Sequence, residues 1–270
     1  MALTVAGSDS GGGAGLQADL RTFAAHGVFA TSVVTAVTAQ NTTAVLGVRA
    51  LDPAFVELQL EAVLGDLPVA AVKTGMLATA ATVAAVGRWA ARGALPHLVV
   101  DPVLVASTGR PLLDTDGVRA YLEHLLPHAE VATPNLREAA LLTGADVADI
   151  ADTAGMRRAA EALAALGARA VVVKGGHLAT PGAPDVVVVD GEVHVLEGTR
   201  VATANDHGSG CTLAAATAAR LARGDDVLTA LRGAKAYVAA ALAGSASWRL
   251  GAGHGPLDHF GWGGAGAPPA

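Results

Sequence analysis

Seven consecutive residues, Asn205-Asp206-His207-Gly208-Ser209-Gly210-Cys211, place the only cysteine of the chain at the start of an alanine-rich stretch, TLAAATAARLARG. That composition favours a helix, with Arg220 and Arg223 in its last turn and Gly224 positioned to end it. Gly208 and Gly210 let the backbone turn tightly and leave several amide N–H groups unpaired. Together with the positive end of the helix dipole, those donors form a site for a phosphate group. A thiol in that field is expected to ionise more readily than a free one. A solitary cysteine is more often a small core residue, but the flanking glycines favour the chemical reading here.

Further reactive residue types fall where apolar runs end. Asp101-Pro102 follows one such run, and Asn135-x-x-Glu138 follows another. Magnesium takes few protein ligands and keeps water while bridging nucleotide phosphates, so a carboxylate and an Asn/Glu pair at neighbouring strand ends suit it. An Asp before Pro also starts turns, and Asn135 also suits a helix cap. Both readings stand at this point. Lys174 closes a run of three valines, where a charge is costly unless it meets an anion. Lys235 sits mid-helix and by itself reads as a solvated side chain.

The stretch Gly7-Ser8-Asp9-Ser10-Gly11-Gly12-Gly13-Ala14-Gly15 is a glycine-rich turn after the first apolar run. Its second half fits a loose dinucleotide fingerprint, which requires an acidic residue about 20 positions on to hold a ribose. No Asp or Glu occurs between Leu20 and Leu51, so that reading fails. No Gly-Lys-Ser/Thr follows either, which excludes a Walker A loop. The turn is expected to form a flexible wall or flap over a small substrate.

The elements that must position these groups alternate. Apolar runs at 3–6, 32–37, 70–73, 98–100, 131–132 and 170–173 read as buried strands. Helical stretches are expected at 14–26, 55–64, 80–92, 117–125, 136–142 and 153–166. This order predicts an α/β fold whose mostly parallel central sheet carries helices on both faces. Residues 185–189 and 192–196, joined by Asp190-Gly191, read as a small antiparallel edge hairpin. Helices at 211–223 and 227–243 follow. The chain is expected to form one domain over 1–260, with a disordered tail at 261–270. Ligands of such sheets bind at the carboxyl ends of the strands, where the polar residues collect.

Composition narrows the function classes. The chain has 270 residues, is 52% hydrophobic and carries a net charge of −6 with three lysines. It can bury a large core, and it lacks the basic surface that nucleic acid or an anionic membrane requires. One cysteine excludes an internal disulfide and suits a reducing compartment. The first basic residue is Arg21, so no charged region precedes an apolar signal core. No apolar run reaches the roughly 18 residues of a membrane helix. A soluble cytoplasmic protein is expected.

The stretches AGSDSGGGAGLQADLRTFAAHGV, TAVTAQNT, VKTGML, DPVLVASTG, TPNLREAALLTG, VVVKGGH, HGSGCTLAAA, AKAYV and GHGPLDHF together resemble a ribokinase-like family. It is the hydroxymethylpyrimidine/phosphomethylpyrimidine kinase family of thiamine biosynthesis, and the likeness runs from residue 6 to 260. Most ribokinase-like sugar kinases end the anion-hole motif in Asp; this family and this chain have Cys. The resemblance implies phosphoryl transfer from ATP, with Mg2+, to an aminopyrimidine alcohol and then to its monophosphate. It implies that Gly7, Asp19, Gln40, Met76 and Val103 surround the pyrimidine. Asn135, Lys174, His207 and Lys235 would meet ATP, and Asp101 and Glu138 would hold the metal. Cys211 would act as base, with the amides of Gly208, Ser209 and Gly210 as the anion hole. A homodimer is also implied. Asp206 departs from the small hydroxyl residue expected at its position. Pyridoxal kinase is the nearer alternative, and a non-catalytic pyrimidine-binding protein the more distant one.

Overall fold

In the computed structural model of the chain, the described residues are 1–104, 113, 115–180 and 182–264. The strands are β1 (Ala2–Ser8), β2 (Ala30–Gln40), β3 (Val45–Ala50), β4 (Ala71–Thr74), β5 (Val99–Val100), β6 (Val131–Ala132), β7 (Ala170–Val173), β8 (Asp185–Val189) and β9 (Glu192–Leu196). They form one sheet in the order β3-β2-β1-β4-β5-β6-β7-β8-β9. The six strands from β2 through β7 pair in parallel, β1 lying between β2 and β4. The hairpin β8–β9 is antiparallel as expected and adds to β7 at one edge.

The other edge corrects the expectation. Antiparallel β3 lies beside β2, which extends beyond its apolar run to Gln40. The β3 stretch, Val-Leu-Gly-Val-Arg-Ala, is mostly exposed and has a glycine in its middle, so no alternation marks it as a strand.

Helices cover both faces, as the buried strands require. They are α1 (Gly15–Ala25), α2 (Pro53–Leu64), α3 (Ala80–Ala91), α4 (Thr115–Ala120), α5 (Leu136–Thr143), α6 (Thr153–Ala164), α7 (Ser209–Ala222) and α8 (Val227–Ser245). Alternate strand residues point to opposite cores. Leu3, Val5, Val72 and Val100 meet Leu60 of α2, Val86 of α3 and Met156 of α6. Ala2, Ala71, Val99 and Val131 meet Phe23 of α1, Ala215 and Ala218 of α7, and Leu231 of α8. Small alanines on α7 let its backbone approach the sheet closely, which sets the start of that helix at the strand ends. The expected helix at 117–125 winds wider over Tyr121–Leu125 and ends in a 3-10 turn, Leu126–His128, that contains Pro127.

The tail begins ordered. The Asp258 carboxylate accepts the backbone N–H groups of Phe260, Trp262 and Gly263, and Trp262–Gly264 forms a 3-10 turn. The remainder of the expected disordered tail, 265–270, lies outside the described residues, as does the part of the DPVLVASTG stretch from residue 105 onward. Among the described residues, no helix is long and apolar enough to cross a membrane.

Candidate active site

A cavity of about 1010 Å³ opens at the carboxyl ends of β1, β2, β4, β5, β6 and β7, large enough for a nucleotide and a small ring together. One end is formed by Gly7, Gln40, Met76 and Val103, the other by Val195, Leu196, Lys235, Val238 and Leu242. Gly208, Ser209, Gly210 and Cys211 lie between them.

Gly208 caps α7 in the left-handed region, at φ 88°, and no side chain satisfies the helix start. The Ser209 N–H donates to the Asp206 carbonyl at 3.2 Å. Among the described residues, the N–H groups of Gly208, Gly210 and Cys211 have no acceptor, so of the three amides expected to form an anion hole, those of Gly208 and Gly210 are free and that of Ser209 is not. Lys174, at the end of β7, adds a positive charge. A Cβ placed on Gly210 would sit 3.1 Å from its ammonium nitrogen.

Lys174 Nζ pairs with Asp101 Oδ1 at 3.0 Å, and Thr133 Oγ1 donates to the same oxygen at 3.2 Å. Burial pushes the Asp101 carboxyl up, but Lys174 and Lys73 outweigh it and hold it below the usual range. Asn135 and Glu138 form a reciprocal capping box at the start of α5: each side chain accepts the other's backbone N–H, at 3.0 and 2.8 Å. The cap reading of Asn135 therefore holds, and its side chain still borders the cavity. Burial pushes the Glu138 carboxyl up to about 7, against the pull of Lys174. Among the described residues, no group of three or more His, Cys, Asp or Glu is placed to hold a metal. Asp101 after β5 and Glu138 in the first turn of α5 nonetheless fit a magnesium ion, which takes few protein ligands and completes its shell with phosphate and water.

Three expectations are corrected. Asp19 does not reach the cavity. It is fully buried behind β1, where Lys73 Nζ lies 2.9 Å from Oδ2 and Thr4 Oγ1 donates to the same oxygen at 2.6 Å. Burial alone would lower the Lys73 ammonium, and the facing Asp19 more than reverses that. Lys235 is not a solvated side chain. Its ammonium donates to Asp185 Oδ2 and to the Ala183 carbonyl, both at 2.7 Å. The Cys211 thiol is not acidified. Burial pushes it up to about 11, Lys73 pulls it down only in part, and Asp101 and Asp19 push it further up.

His207 lies beside Asp9 and Gln40, at the end of the cavity formed by Gly7, Gln40, Met76 and Val103. Its Nε2 is 2.9 Å from Asp9 Oδ2 and 3.2 Å from Gln40 Nε2. Asp9 was not marked as functional, although Asp two residues before glycine is a turn signature. Its carboxylate accepts the N–H groups of Gly11, Gly13 and Ala14, so the glycine turn is pinned as a wall. Asp206, the departure from the family pattern, pairs with His254 Nδ1 at 2.6 Å on the exposed rim.

A C-terminal strap braces the anion hole from behind. The His207 N–H donates to the Gly255 carbonyl, the Gly255 N–H to the Ala204 carbonyl, and buried Thr212 bonds His259 Nε2 at 3.0 Å. Burial lowers His259 to about 4. In the unfolded chain the ring titrates near 6.5, so below that pH the unfolded state binds the extra proton. The contribution of His259 is complete above about pH 6.5 and is lost as pH falls toward 4, by up to about 3 kcal/mol. Urea unfolding of wild type and His259→Gln at pH 7 and pH 4.5 should show the wild type losing the greater stability. An equal loss in both would remove His259 from this account.

The profile of a family described as phosphomethylpyrimidine kinase matches residues 9–258. A hydroxymethylpyrimidine/phosphomethylpyrimidine kinase of Rhizobium meliloti (strain 1021) is 50% identical over 261 residues, covering 96% of this chain and 97% of the relative. One from Synechococcus elongatus is 49% identical over the same shares of the two chains. Among solved structures, the ADP complex of Bacillus subtilis pyridoxal kinase superposes with a TM-score of 0.86 at 36% identity, covering 96% of each chain. The phosphomethylpyrimidine kinase of Clostridium difficile 630 gives 0.77 at 37% identity, covering 88% of this chain and 96% of its own. With an unpaired amide cradle at a helix start, a lysine against it and a cysteine beside it, this chain belongs to the phosphomethylpyrimidine kinase family.

Proposed function

We propose that the protein transfers the γ-phosphoryl group of ATP to 4-amino-5-hydroxymethyl-2-methylpyrimidine, and then a second one to the monophosphate formed, in thiamine biosynthesis. The observation that carries this reading is the two-ended cavity with the free amides of Gly208 and Gly210 at its centre. In-line transfer passes through a loose transition state, so catalysis is mostly positioning and charge stabilisation. The two amides and the Lys174 ammonium would hold the charge developing on the transferred group. Asn135 borders the same space, and Lys235 lies toward the far, mostly apolar end that suits a base.

A thiol lifted to about 11 is not a resident base at neutral pH. In this reading Cys211 aims the attacking hydroxyl by a hydrogen bond, and the hydroxyl proton ends on the phosphate of the product. Asp101 and Glu138 would hold magnesium, whose charge would offset that of the triphosphate. Gln40 can meet an aminopyrimidine edge with one donor and one acceptor, while Met76 and Val103 pack its faces. Gln40→Leu should raise the KM for the pyrimidine about tenfold, the range of an unpaired buried polar group, with the KM for ATP unchanged. An unchanged pyrimidine KM would misplace the ring.

A single unpaired cysteine suits a cytoplasmic setting. Val37, Leu46 and Val48 leave the β2–β3 edge apolar and exposed, which supports the homodimer implied by resemblance. The deciding experiment is a coupled assay that offers the hydroxymethylpyrimidine, its monophosphate and pyridoxal to purified protein with Mg-ATP. Turnover of both pyrimidines supports the reading. Turnover of pyridoxal alone would move the chain to the pyridoxal kinases its fold also resembles, and no ATP consumption would leave a binding protein.

A further inference from the structure

We propose that His207 determines which end of the Gln40 side-chain amide faces the ring of the substrate, and so sets the order of donor and acceptor that the cavity reads. This rests on Gln40 as the ring-reading residue.

The argument begins at Asp9. Its Oδ2 accepts from Gly13 N at 3.1 Å and from Ala14 N at 2.9 Å, and its Oδ1 accepts from Gly11 N at 2.8 Å. Burial raises this carboxyl, but the bond and charge of His207 and the backbone amides outweigh that and hold it below the usual range. An ionised carboxylate only accepts hydrogen bonds. The third partner of Oδ2, His207 Nε2 at 2.9 Å, therefore carries a hydrogen directed at Asp9.

A protonated ring nitrogen cannot also accept. Yet the same Nε2 lies 3.2 Å from Gln40 Nε2, which places two donors face to face. The oxygen and nitrogen of a side-chain amide are distinguished by their hydrogen bonds, since the two ends have nearly the same shape. Turning the Gln40 amide end for end removes the conflict. Its oxygen then shares the His207 N–H with Asp9, and its NH2 group faces the cavity.

Neither partner has room to evade this. Gln40 is held at its backbone, where its N–H donates to Ser10 Oγ at 2.8 Å and its carbonyl accepts from that hydroxyl at 2.7 Å. His207 turns its Cδ2 edge toward Gly13, where an added Cβ would come within 2.5 Å of that carbon, and its side chain is only 12% exposed. The Gly208 cap follows it directly.

The cavity thus presents an N–H donor with a half-used carbonyl beside it. That pattern complements a ring nitrogen acceptor next to an exocyclic amino group, the edge of a 4-aminopyrimidine. The 4-oxo analogue, with hydrogen on the ring nitrogen and an acceptor outside it, meets the pattern reversed.

The test is the ratio of kcat/KM for 4-amino-5-hydroxymethyl-2-methylpyrimidine to that for its 4-oxo analogue. In His207→Leu the amide is free to turn, and the ratio should fall by about tenfold or more. His207→Gln keeps an N–H toward Asp9 and should restore most of it. A merely structural role would lower both rates together and leave the ratio unmoved, which overturns the proposal. Gln40→Leu separates the two levels. A collapsed ratio there with an intact one in His207→Leu defeats this inference alone, whereas an unmoved ratio and KM in Gln40→Leu defeat the reading of the pocket. Independently of any variant, 15N spectra of the wild-type protein should show His207 Nε2 protonated. A bare Nε2 overturns the proposal.

Discussion

Cys211→Ala should lower kcat by about a hundredfold or more, the scale set by a misaimed nucleophile, while ATP affinity stays within a few-fold of wild type. The sulfur sits at the junction of the two cavity ends, beside the free amides of Gly208 and Gly210. Its removal leaves the nucleotide end untouched but takes away the partner that points the hydroxyl at phosphorus. Cys211→Ser distinguishes aiming from proton abstraction. A serine hydroxyl can still hold the substrate, so it should retain clearly more activity than alanine. If serine and alanine are equally inactive, the sulfur acts as a thiolate and the high acid constant of the ligand-free site does not govern the reaction. Near-normal rates in Cys211→Ala would remove the residue from the chemistry. With no other thiol in the chain, the pH dependence of alkylation reads this group directly and should place its midpoint near 11.

Gly208→Ala should cost about a hundred- to a thousandfold in kcat, the range for loss of an oriented backbone donor. Gly208 has φ 88°, and a Cβ there would run into the Gly13 carbonyl oxygen. The glycine turn and the anion hole touch at this point, so relief of the clash must shift one or the other. Gly224→Ala is the control. It has φ 95° just beyond the other end of the same helix, and nothing lies within 4 Å of an added Cβ. It should lower stability by about 1 kcal/mol and leave kcat unchanged. Thermal unfolding with steady-state kinetics on the two variants measures both effects. Equal kcat losses would mean that strain, not collision with the turn, is responsible.

The strand runs, the β8–β9 hairpin and the helix behind Cys211 were legible because each is written in a local pattern: valine clusters, Asp190-Gly191, glycine before alanine. What the sequence hid is non-local. Asp19 and Lys73 stand 54 residues apart and Asp185 and Lys235 stand 50 apart, so nothing near either lysine shows its partner. The resemblance carried Asp19 to the cavity wall because its neighbours lie there; only the packing of α1 on β1, which sets Asp19 against Thr4 and Lys73, shows it turned inward. Strand β3 was missed because its exposed face and glycine give no alternation, and its pairing comes from β2. The thiol was misread because the helix dipole is a local property, whereas burial and the facing carboxylates come from elements distant in sequence, Asp19 on α1 and Asp101 after β5. The partner of His207 was hidden for a similar reason. Its neighbours in the chain present their amides at the start of α7, but its ring reaches Asp9, 198 residues away.

The sealed pair of Asp19 and Lys73 bears on how this chain can drift over generations. Exchanging either partner alone strands a charge where no water reaches, at a cost of about 3–5 kcal/mol, a large share of what keeps a domain folded. Two apolar residues of matching volume would be tolerated far better than either half-way step. The route between those alternatives crosses a valley, so a lineage leaves this arrangement only by changing both codons together or after gaining stability elsewhere.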